Sequence, residues 1–543
     1  MDGGAIHAVE TLVLLLLVFV VLFAVLAQKL RTPYPIVLVI AGLVLSFVPG
    51  TPKIQINPEV IFLVVLPPLL FSGAWLTSWR EFVKNSVSIS LLAVGLVAFT
   101  AIGVAYAAPW VFKGFDWRLG FVLGAVVSTT DAIAATAIAR NIGLPKRIVD
   151  ILEGESLVND ATGLVALGFA VAMVVEGKRP TIGQGFLQLA YLIVVGIAIG
   201  LVIGLVVEWF ERRLEDGPIE ITVSILVPYV AYLAAEAAHA SGVLAVIACG
   251  LYLSRKSSEF FSPTVRIQAW AVWESLTFVL NGLVFVAIGL QLPYVVGELK
   301  DHRMSELIFY GLALSVILIA LRLIWMYPAT ALSWSIRRHL LRQQAPMPSA
   351  RNVFVVGWTG MRGVVALAAA LSLPETLSNG AEFPQRNMII FLTFAVIIVT
   401  LVGQGLTLPP LIRALGLAGT RASHEEEHQA RQKILRAALE RLNTERQKDG
   451  DEYTDVYDSL VQMYELKIDK FADEGQPQTI RAREQMDKHR RLMCDMIRVE
   501  RRTAVELRNR GEISDELLRQ LERELDLTEE RLIISHEDSD SRS

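Results

Sequence analysis

The sequence predicts an all-α protein that crosses a membrane many times and ends in a charged helical tail. The chain has 543 residues, of which 53% are hydrophobic, and its mean hydropathy is +0.48. A soluble core does not need so much apolar surface, so the composition indicates a polytopic membrane protein. The charge is uneven, because apolar runs dominate residues 1–418 whereas Glu, Asp, Arg and Lys crowd residues 419–543. We therefore predict a transmembrane domain over residues 1–418 and a cytoplasmic helical domain over residues 419–543.

Apolar segments long enough to cross a bilayer recur throughout residues 1–418. With about 20 apolar residues per span, and some shorter kinked spans, the sequence predicts about 13 transmembrane helices. The predicted helices start near Val9, Pro35, Val60, Val87, Leu119, Ile148, Phe186, Ile219, Ser241, Ile267, Leu307, Val353 and Met388. The first ten residues contain no Lys or Arg, so we expect the first apolar run to be a retained span rather than a cleaved signal peptide.

Basic residues are concentrated in alternate connections between these spans. The odd-numbered connections carry 16 Lys and Arg residues and the even-numbered ones carry 8. Basic loops stay on the cytoplasmic side, which predicts an outside N-terminus and a cytoplasmic tail for a multi-pass protein of the cell (inner) membrane. Stretches of the tail such as "VYDSLVQMYELKI" have helical apolar spacing, so we predict amphipathic helices there.

Two predicted spans are interrupted near their middles by residues that break or polarise a helix. The fifth reads "GAVVSTTDAIAATAIA" and the twelfth reads "VFVVGWTGMRGVVALAAALSLP". If helices one to six and eight to thirteen form two inverted repeats, both interruptions fall on the fifth member of a repeat. Paired interrupted helices in such repeats indicate the midplane binding site of a secondary transporter. The alternative is that these polar residues serve ordinary helix packing.

The sixth span contains two carboxylates in the stretch "GESLVNDATGL". Glu155 and Asp160 therefore lie where a carboxylate costs at least ~2.5 kcal/mol, which makes them candidate functional groups. Ser156 and Asp160 share one face of the helix, and Glu155 and Asn159 share the adjoining face. Asp160 lies roughly 20 Å along the helix from the basic residues at its start, near the middle of the bilayer.

These polar residues suit a small cation that is stripped of water. Such an ion needs oxygen ligands, which Asp160, neighbouring hydroxyls and the carbonyls freed near Thr130 and Asp131 can supply. Asn159 could brace that opening. A proton and a metal ion exclude one another on a single carboxylate, so Asp160 provides the minimum needed for exchange.

Two arginines lie inside predicted spans, Arg322 in "IALRLIWMYPA" and Arg362 in "TGMRGVV". An unpaired guanidinium is costly there, so each is expected to have a carboxylate partner. Glu155 and Asp131 are the natural candidates. Whether a pair between Glu155 and Arg322 belongs to the ion site or only braces it stays open.

Four motifs, "STTDAIA", "EGESLVNDATGLV", "LRLIWMYPA" and "GWTGMRGVVALAAALSLP", occur in order along the chain. They resemble the NhaP-type bacterial sodium/proton antiporters, of the monovalent cation:proton antiporter family that includes the animal sodium/hydrogen exchangers. The resemblance covers about Val9 to Leu415, and the adjacent Asn159 and Asp160 match the signature of the electroneutral branch.

The resemblance implies a homodimer of 13-helix protomers, each with a dimerisation domain and a mobile core whose broken helices cross near the ion. Asp160 would carry the Na⁺ or proton, with Thr130, Ser156 and Asp131 nearby. Asn159 would hold the crossover, and Glu155 would pair with an intramembrane arginine, Arg322 in the first instance. The expected ligands are monovalent cations and protons, with no cofactor. The tail lies outside this pattern.

The sequence supports alternative functions less well than cation/proton exchange. An intramembrane aspartyl protease would use Asp131 and Asp160, but the chain lacks a Gly-x-Gly-Asp sequence. A cation channel would need a continuous polar pore, whereas the polarity here is concentrated at one midplane cluster. K⁺ or Li⁺ in place of Na⁺ remains open, because selectivity depends on cavity size. The net charge of −4 gives no indication of nucleic-acid binding, and no P-loop motif occurs.

A zinc-protease pattern occurs in the tail as "HEEEH", His424 to His428. The spacing places two imidazoles on one helical face. No third ligand is evident in the sequence, and a solvated charged face is the simpler interpretation.

Overall fold

The computed structural model describes residues 3–30, 32–48, 58–175, 182–214, 216–299, 302–343, 346–417, 422–449, 453–471, 477–510 and 512–540. Within these residues the secondary structure is helical, apart from one isolated β-bridge between Thr376 and Glu382. The all-α prediction is therefore confirmed. The chain divides into two compact units, Met1–Thr420 and Arg421–Ser543.

The helices of the first unit contain most of the apolar sequence. They are α1 (Gly3–Leu30), α2 (Tyr34–Leu45), α3 (Pro58–Leu76), α4 (Trp79–Val111), α5 (Trp117–Ser128), α6 (Ala132–Ile142), α7 (Lys146–Val175), α8 (Ile182–Glu211), α9 (Gly217–Ala237), α10 (Gly242–Phe260), α11 (Pro263–Leu290), α12 (Leu292–Gly297), α13 (Met304–Leu340), α14 (Ala350–Trp358), α15 (Val364–Leu371) and α16 (Arg386–Ala414). Each predicted helix start falls within one of them or, for Ser241, at the residue that caps α10.

Eight helical segments of the described residues are long and apolar enough to cross a membrane. They lie in α3, α4, α7, α8, α9, α11, α13 and α16. Shorter apolar helices include α2 and α5. The chain is thus an integral membrane protein, whereas the total of 13 spans and the inverted repeats stay predictions.

Helix α7 packs against α4, α5 and α6, which brings its polar face to the gap between α5 and α6. Gly163 of α7 allows the close approach, because a Cβ atom there would lie 2.4 Å from Cγ2 of Thr129. Large buried side chains such as Phe71, Phe285 and Phe394 fill the space between the helices of this unit. Dense packing of this kind leaves few voids and holds side chains in their preferred rotamers.

The described residues of the second unit form four helices, in agreement with the predicted helical tail. They are α17 (Ala422–Asp449), α18 (Thr454–Lys470), α19 (Pro477–Asn509) and α20 (Asp515–Asp540). Each packs against the next one along the chain. Arg501 of α19 reaches both Asp526 and Glu529 of α20, at 2.6 and 2.7 Å.

Candidate functional site

The chain between α5 and α6 leaves the helical conformation for three residues. Helix α5 ends at Ser128, and Thr129 is extended, with φ −65° and ψ 138°. The carboxylate of Asp131 then accepts a hydrogen bond from the backbone N–H of Ile133 at 2.8 Å. An acidic side chain is a favourable cap for a helix N-terminus, because it satisfies a free N–H and faces the positive end of the dipole. Asp131 therefore caps the N-terminus of α6.

A second interruption separates α14 from α15 and lies directly against the first one. The backbone N–H of Asp131 donates to the carbonyl of Met361 at 2.8 Å. Gly363 permits this contact, because a Cβ atom at that position would lie 2.2 Å from Oδ2 of Asp131. The two interrupted segments predicted from the sequence therefore meet in space.

Glu155 and Arg322 form an ion pair inside the protein, and each side chain is only 1% exposed. Nη1 of Arg322 donates to Oε1 of Glu155 at 2.5 Å, and Nη2 donates to Oε2 at 2.9 Å. The same guanidinium donates to the carbonyls of Val356 and Gly357 in the last turn of α14, each at 3.1 Å. The carbonyls of a last helical turn lack partners within the helix and carry partial negative charge. Arg322 thus joins Glu155 to the end of α14.

Arg362 corrects one expectation, because it has no carboxylate partner among the described residues. Its Nε atom donates to the carbonyl of Val127 in the last turn of α5 at 3.0 Å, and Nη1 donates to the carbonyl of Gly360. The free carbonyls at a helix C-terminus carry partial negative charge, and here they replace the carboxylate that we expected as the partner of Arg362. Asp131, one of the two candidate partners, caps α6 instead.

A short chain of hydrogen bonds joins the ion pair to the first interruption. The hydroxyl of Thr130 donates to Oε1 of Glu155 at 3.2 Å, and Nδ2 of Asn159 donates to the same hydroxyl oxygen at 2.5 Å. All three side chains are buried. Thr130 and Asn159 therefore tie α7 to the interruption, while Oδ1 of Asn159 is buried without a hydrogen-bond partner among the described residues.

Asp160 lies on the other side of α7, in the wall of a cavity of about 520 Å³. The cavity wall also includes the other three residues predicted for the ion site, Thr130, Asp131 and Ser156. Asp160 is 8% exposed and lies close enough to Asp131 for the two charges to interact. Within the described part of the chain, the carboxylate of Asp160 forms no hydrogen bond or ion pair. Its oxygens are thus available to a ligand that enters the cavity.

The cavity wall also contains polar residues that the sequence argument missed or set aside. Tyr34 and Asn281 were missed, although a buried Asn281 within the apolar α11 was a usable signal. Glu153 and Glu274 also line the cavity. The side chain of Glu274 is exposed and forms part of the cavity wall. Together with Asp131 and Asp160 these residues make the cavity acidic.

This arrangement can bind a cation or a proton at Asp160. Asp131 and Asp160 both reach the cavity, yet Asp131 holds a backbone N–H of α6. In the described residues no group of three or more metal-binding side chains is present. The side chains of His424 to His428 lie outside the described residues, so the predicted pattern in that stretch stays a prediction.

The chain is similar over nearly all its length to proteins named as exchangers or antiporters. An uncharacterized Na⁺/H⁺ exchanger of Mycobacterium tuberculosis is 34% identical over 520 residues, which are 95% of this chain and 94% of that protein. An antiporter of Bacillus pumilus named for sodium, potassium, lithium and rubidium is 33% identical over 80% of this chain and 65% of its own length.

A solved structure shares the fold. The sodium/proton antiporter MjNhaP1 from Methanocaldococcus jannaschii superposes with a TM-score of 0.56 at 18% identity, over 76% of this chain and 99% of that one. The family described as "Sodium/hydrogen exchanger, transmembrane" matches residues 14–414. The resemblance carried by the four motifs is thereby confirmed, and the chain belongs to the transmembrane sodium/hydrogen exchanger family.

Proposed function

We propose that this chain exchanges Na⁺ for H⁺ across the membrane, one for one, with Asp160 as the shared binding group. The observation that carries the proposal is the state of two buried carboxylates of α7, Glu155 and Asp160. Glu155 is locked to Arg322, whereas Asp160 faces the cavity with no partner in the described residues. Of these two carboxylates Asp160 is the one that can change partners, so Na⁺ and H⁺ would compete for one site.

The residues around Asp160 have separate roles in this proposal. Ser156, Thr130 and Asp131 line the same cavity and would supply further oxygen atoms to the ion. Asn159 and the pair of Glu155 with Arg322 touch the broken helices rather than the ion, and would hold the site's shape. The oxygen-rich set suits a hard monovalent cation, and exchange requires no cofactor.

K⁺ is the second candidate cation. The Bacillus pumilus relative is named for sodium, potassium, lithium and rubidium, and a 520 Å³ cavity does not by itself select a small ion. We further propose a homodimer in the cell (inner) membrane, with the N-terminus outside and the tail in the cytoplasm. The excess of basic residues in alternate connections supports that orientation.

The direct test measures proton flux into vesicles reconstituted with the purified protein, against Na⁺, Li⁺, K⁺ and Rb⁺ in turn. We expect flux coupled to at least one of these ions and lost in Asp160→Asn, which keeps the shape but cannot release a proton. Asp116→Asn is the matched control. Asp116 is exposed and caps α5 through Leu119, a role that Asn also fills. Full exchange by Asp160→Asn, in a protein with an unchanged melting temperature, would contradict the proposal.

A further inference from the structure

A second cavity, of about 270 Å³, lies between α4, α7, α13 and α14. Its wall shares no residue with the cavity that contains Asp160. Most of the wall is apolar, as at Leu92, Ile151 and Met326. Its polar end lies where α7 begins and α13 finishes, on the side that the basic connections predict to be cytoplasmic.

Two guanidinium groups line that end of the cavity, and the protein supplies neither with a counterion among the described residues. Arg147 at the start of α7 forms no hydrogen bond or ion pair there, and its charge interacts with that of Arg337. Arg337 is 6% exposed, and its Nε atom donates to Oε1 of Gln343 at 3.0 Å. The carboxylate of Glu81 also acts on Arg147, but it is held by Lys84 at 3.2 Å.

Two like charges around one partly buried cavity repel each other unless an anion lies between them. A guanidinium also prefers planar, multidentate contacts with phosphate or carboxylate oxygens. The buried Oδ1 atom of Asn352, in the same cavity wall, has no hydrogen-bond partner in the protein. An acceptor in that position requires a donor such as a hydroxyl group, so the ligand that fits combines an anion with hydroxyl groups.

We propose that this cavity binds a phosphate ester, with the phosphate between Arg147 and Arg337 and a hydroxyl near Asn352. An anionic phospholipid satisfies both halves of the cavity, because its acyl chain would cover the apolar wall. Basic pockets between transmembrane helices on the cytoplasmic side are known to suit such headgroups. A soluble phosphate ester offers the same polar contacts without the chain.

The cavity is connected to the candidate ion site through α14. Val356 lines the cavity, and its carbonyl oxygen accepts the hydrogen bond from Nη2 of Arg322. A bound ligand would therefore brace α14 at the turn that holds the Glu155 and Arg322 pair. The inference does not depend on which cation is transported or on the role of Asp160.

The test measures ligand binding by the purified full-length protein in a neutral detergent. The probes are phosphatidylglycerol, zwitterionic phosphatidylcholine, glycerol 3-phosphate and inorganic phosphate, with binding read by native mass spectrometry and by the shift in melting temperature. We expect phosphatidylglycerol to bind and to raise the melting temperature more than phosphatidylcholine does. Binding of glycerol 3-phosphate as well would show that the headgroup suffices.

The variants decide whether the binding occurs in this cavity. Arg147→Gln should weaken phosphatidylglycerol binding about tenfold or more, the effect expected when a charge-assisted hydrogen bond is lost. Arg337→Gln should weaken binding in the same way. Arg337 is buried, so if its replacement prevents folding, Arg147→Gln alone tests the proposal. Arg338→Gln is the control, since Arg338 is the exposed neighbour that stacks on Trp334. Equal binding by Arg147→Gln and Arg338→Gln, or no preference for any anionic probe, would overturn the proposal.

Discussion

Glu155 and Arg322, 167 residues apart in the chain, meet through two parallel hydrogen bonds of 2.5 and 2.9 Å with both side chains 1% exposed. The contact links α7 to α13, and the carbonyls that Arg322 also holds add α14. A buried pair of this kind is costly to break from one side, because the remaining charge has no solvent and no partner.

The first prediction concerns that pair. Glu155→Ala and Arg322→Ala should each destabilise the protomer by ~3–5 kcal/mol, and the double variant should be more stable than the sum of the two losses predicts. Thermal melts of the four proteins in detergent measure the coupling. Strictly additive losses would show that the two residues do not act as a pair.

The second prediction concerns Arg362. Arg362→Gln should lower stability by about 1.5–3 kcal/mol for the charged hydrogen bond to Val127 and should reduce exchange, because the end of α5 loses its cation. Arg362→Lys should keep part of both, since it retains the charge without the planar donor set. Melts and vesicle flux of both variants give the comparison. If Lys is no better than Gln, the charge at that helix end is not what matters.

The third prediction tests the contact between the two interruptions. Gly363→Ala should displace Asp131, because the new Cβ atom would lie 2.2 Å from Oδ2 and 2.5 Å from Cβ of that residue. We expect a loss of about 1–3 kcal/mol in stability and a lower rate of exchange. Gly168→Ala on α7 is the control, since a Cβ atom there meets nothing within 4 Å. Equal behaviour of the two variants would argue against the close approach.

The fourth prediction concerns stoichiometry and pH. Asn159 cannot titrate and Glu155 is paired with Arg322, so we expect exchange at Asp160 to move one monovalent cation for one proton and no net charge. The exchange rate should depend on pH with a bell-shaped profile. At low pH protons occupy Asp160 and exclude the cation, and at high pH too few protons are present for the proton-bound return step. Currents on solid-supported membranes and flux under an imposed voltage measure the charge movement. A steady current would show that a second group titrates, with Asp131 and Glu155 the first to examine.

The fifth prediction concerns the tail. Truncation after residue 419 should leave a folded transporting membrane unit, because every residue of the candidate site precedes it, while the pH or activity set-point shifts. Flux across a pH series, compared with that of the full chain, measures both effects. A truncated protein that is folded and dimeric but inactive would contradict this expectation.

Three features could be predicted from the sequence: the helical class, the positions of the two interruptions and the polar face of α7. These features depend on local properties: apolar run length, residues such as Gly363 that interrupt a helix, and the separation of Ser156 and Asp160 by one helical turn. The pairing of Glu155 and Asn159 on the adjoining face followed from the same periodicity, and both side chains do contact Thr130.

The pairing of the charged residues depends on how the helices pack and could not be predicted from the sequence. From the sequence, Glu155 and Asp131 were both possible partners of the two arginines. They could not be matched, because a sequence contains no distances between residues of different helices. It also treated a carboxylate as the only partner for a buried guanidinium, whereas Arg362 binds the carbonyls of Val127 and Gly360. Those carbonyls are free only because the helix ends inside the protein, and their position beside Arg362 is set by how the two broken helices pack.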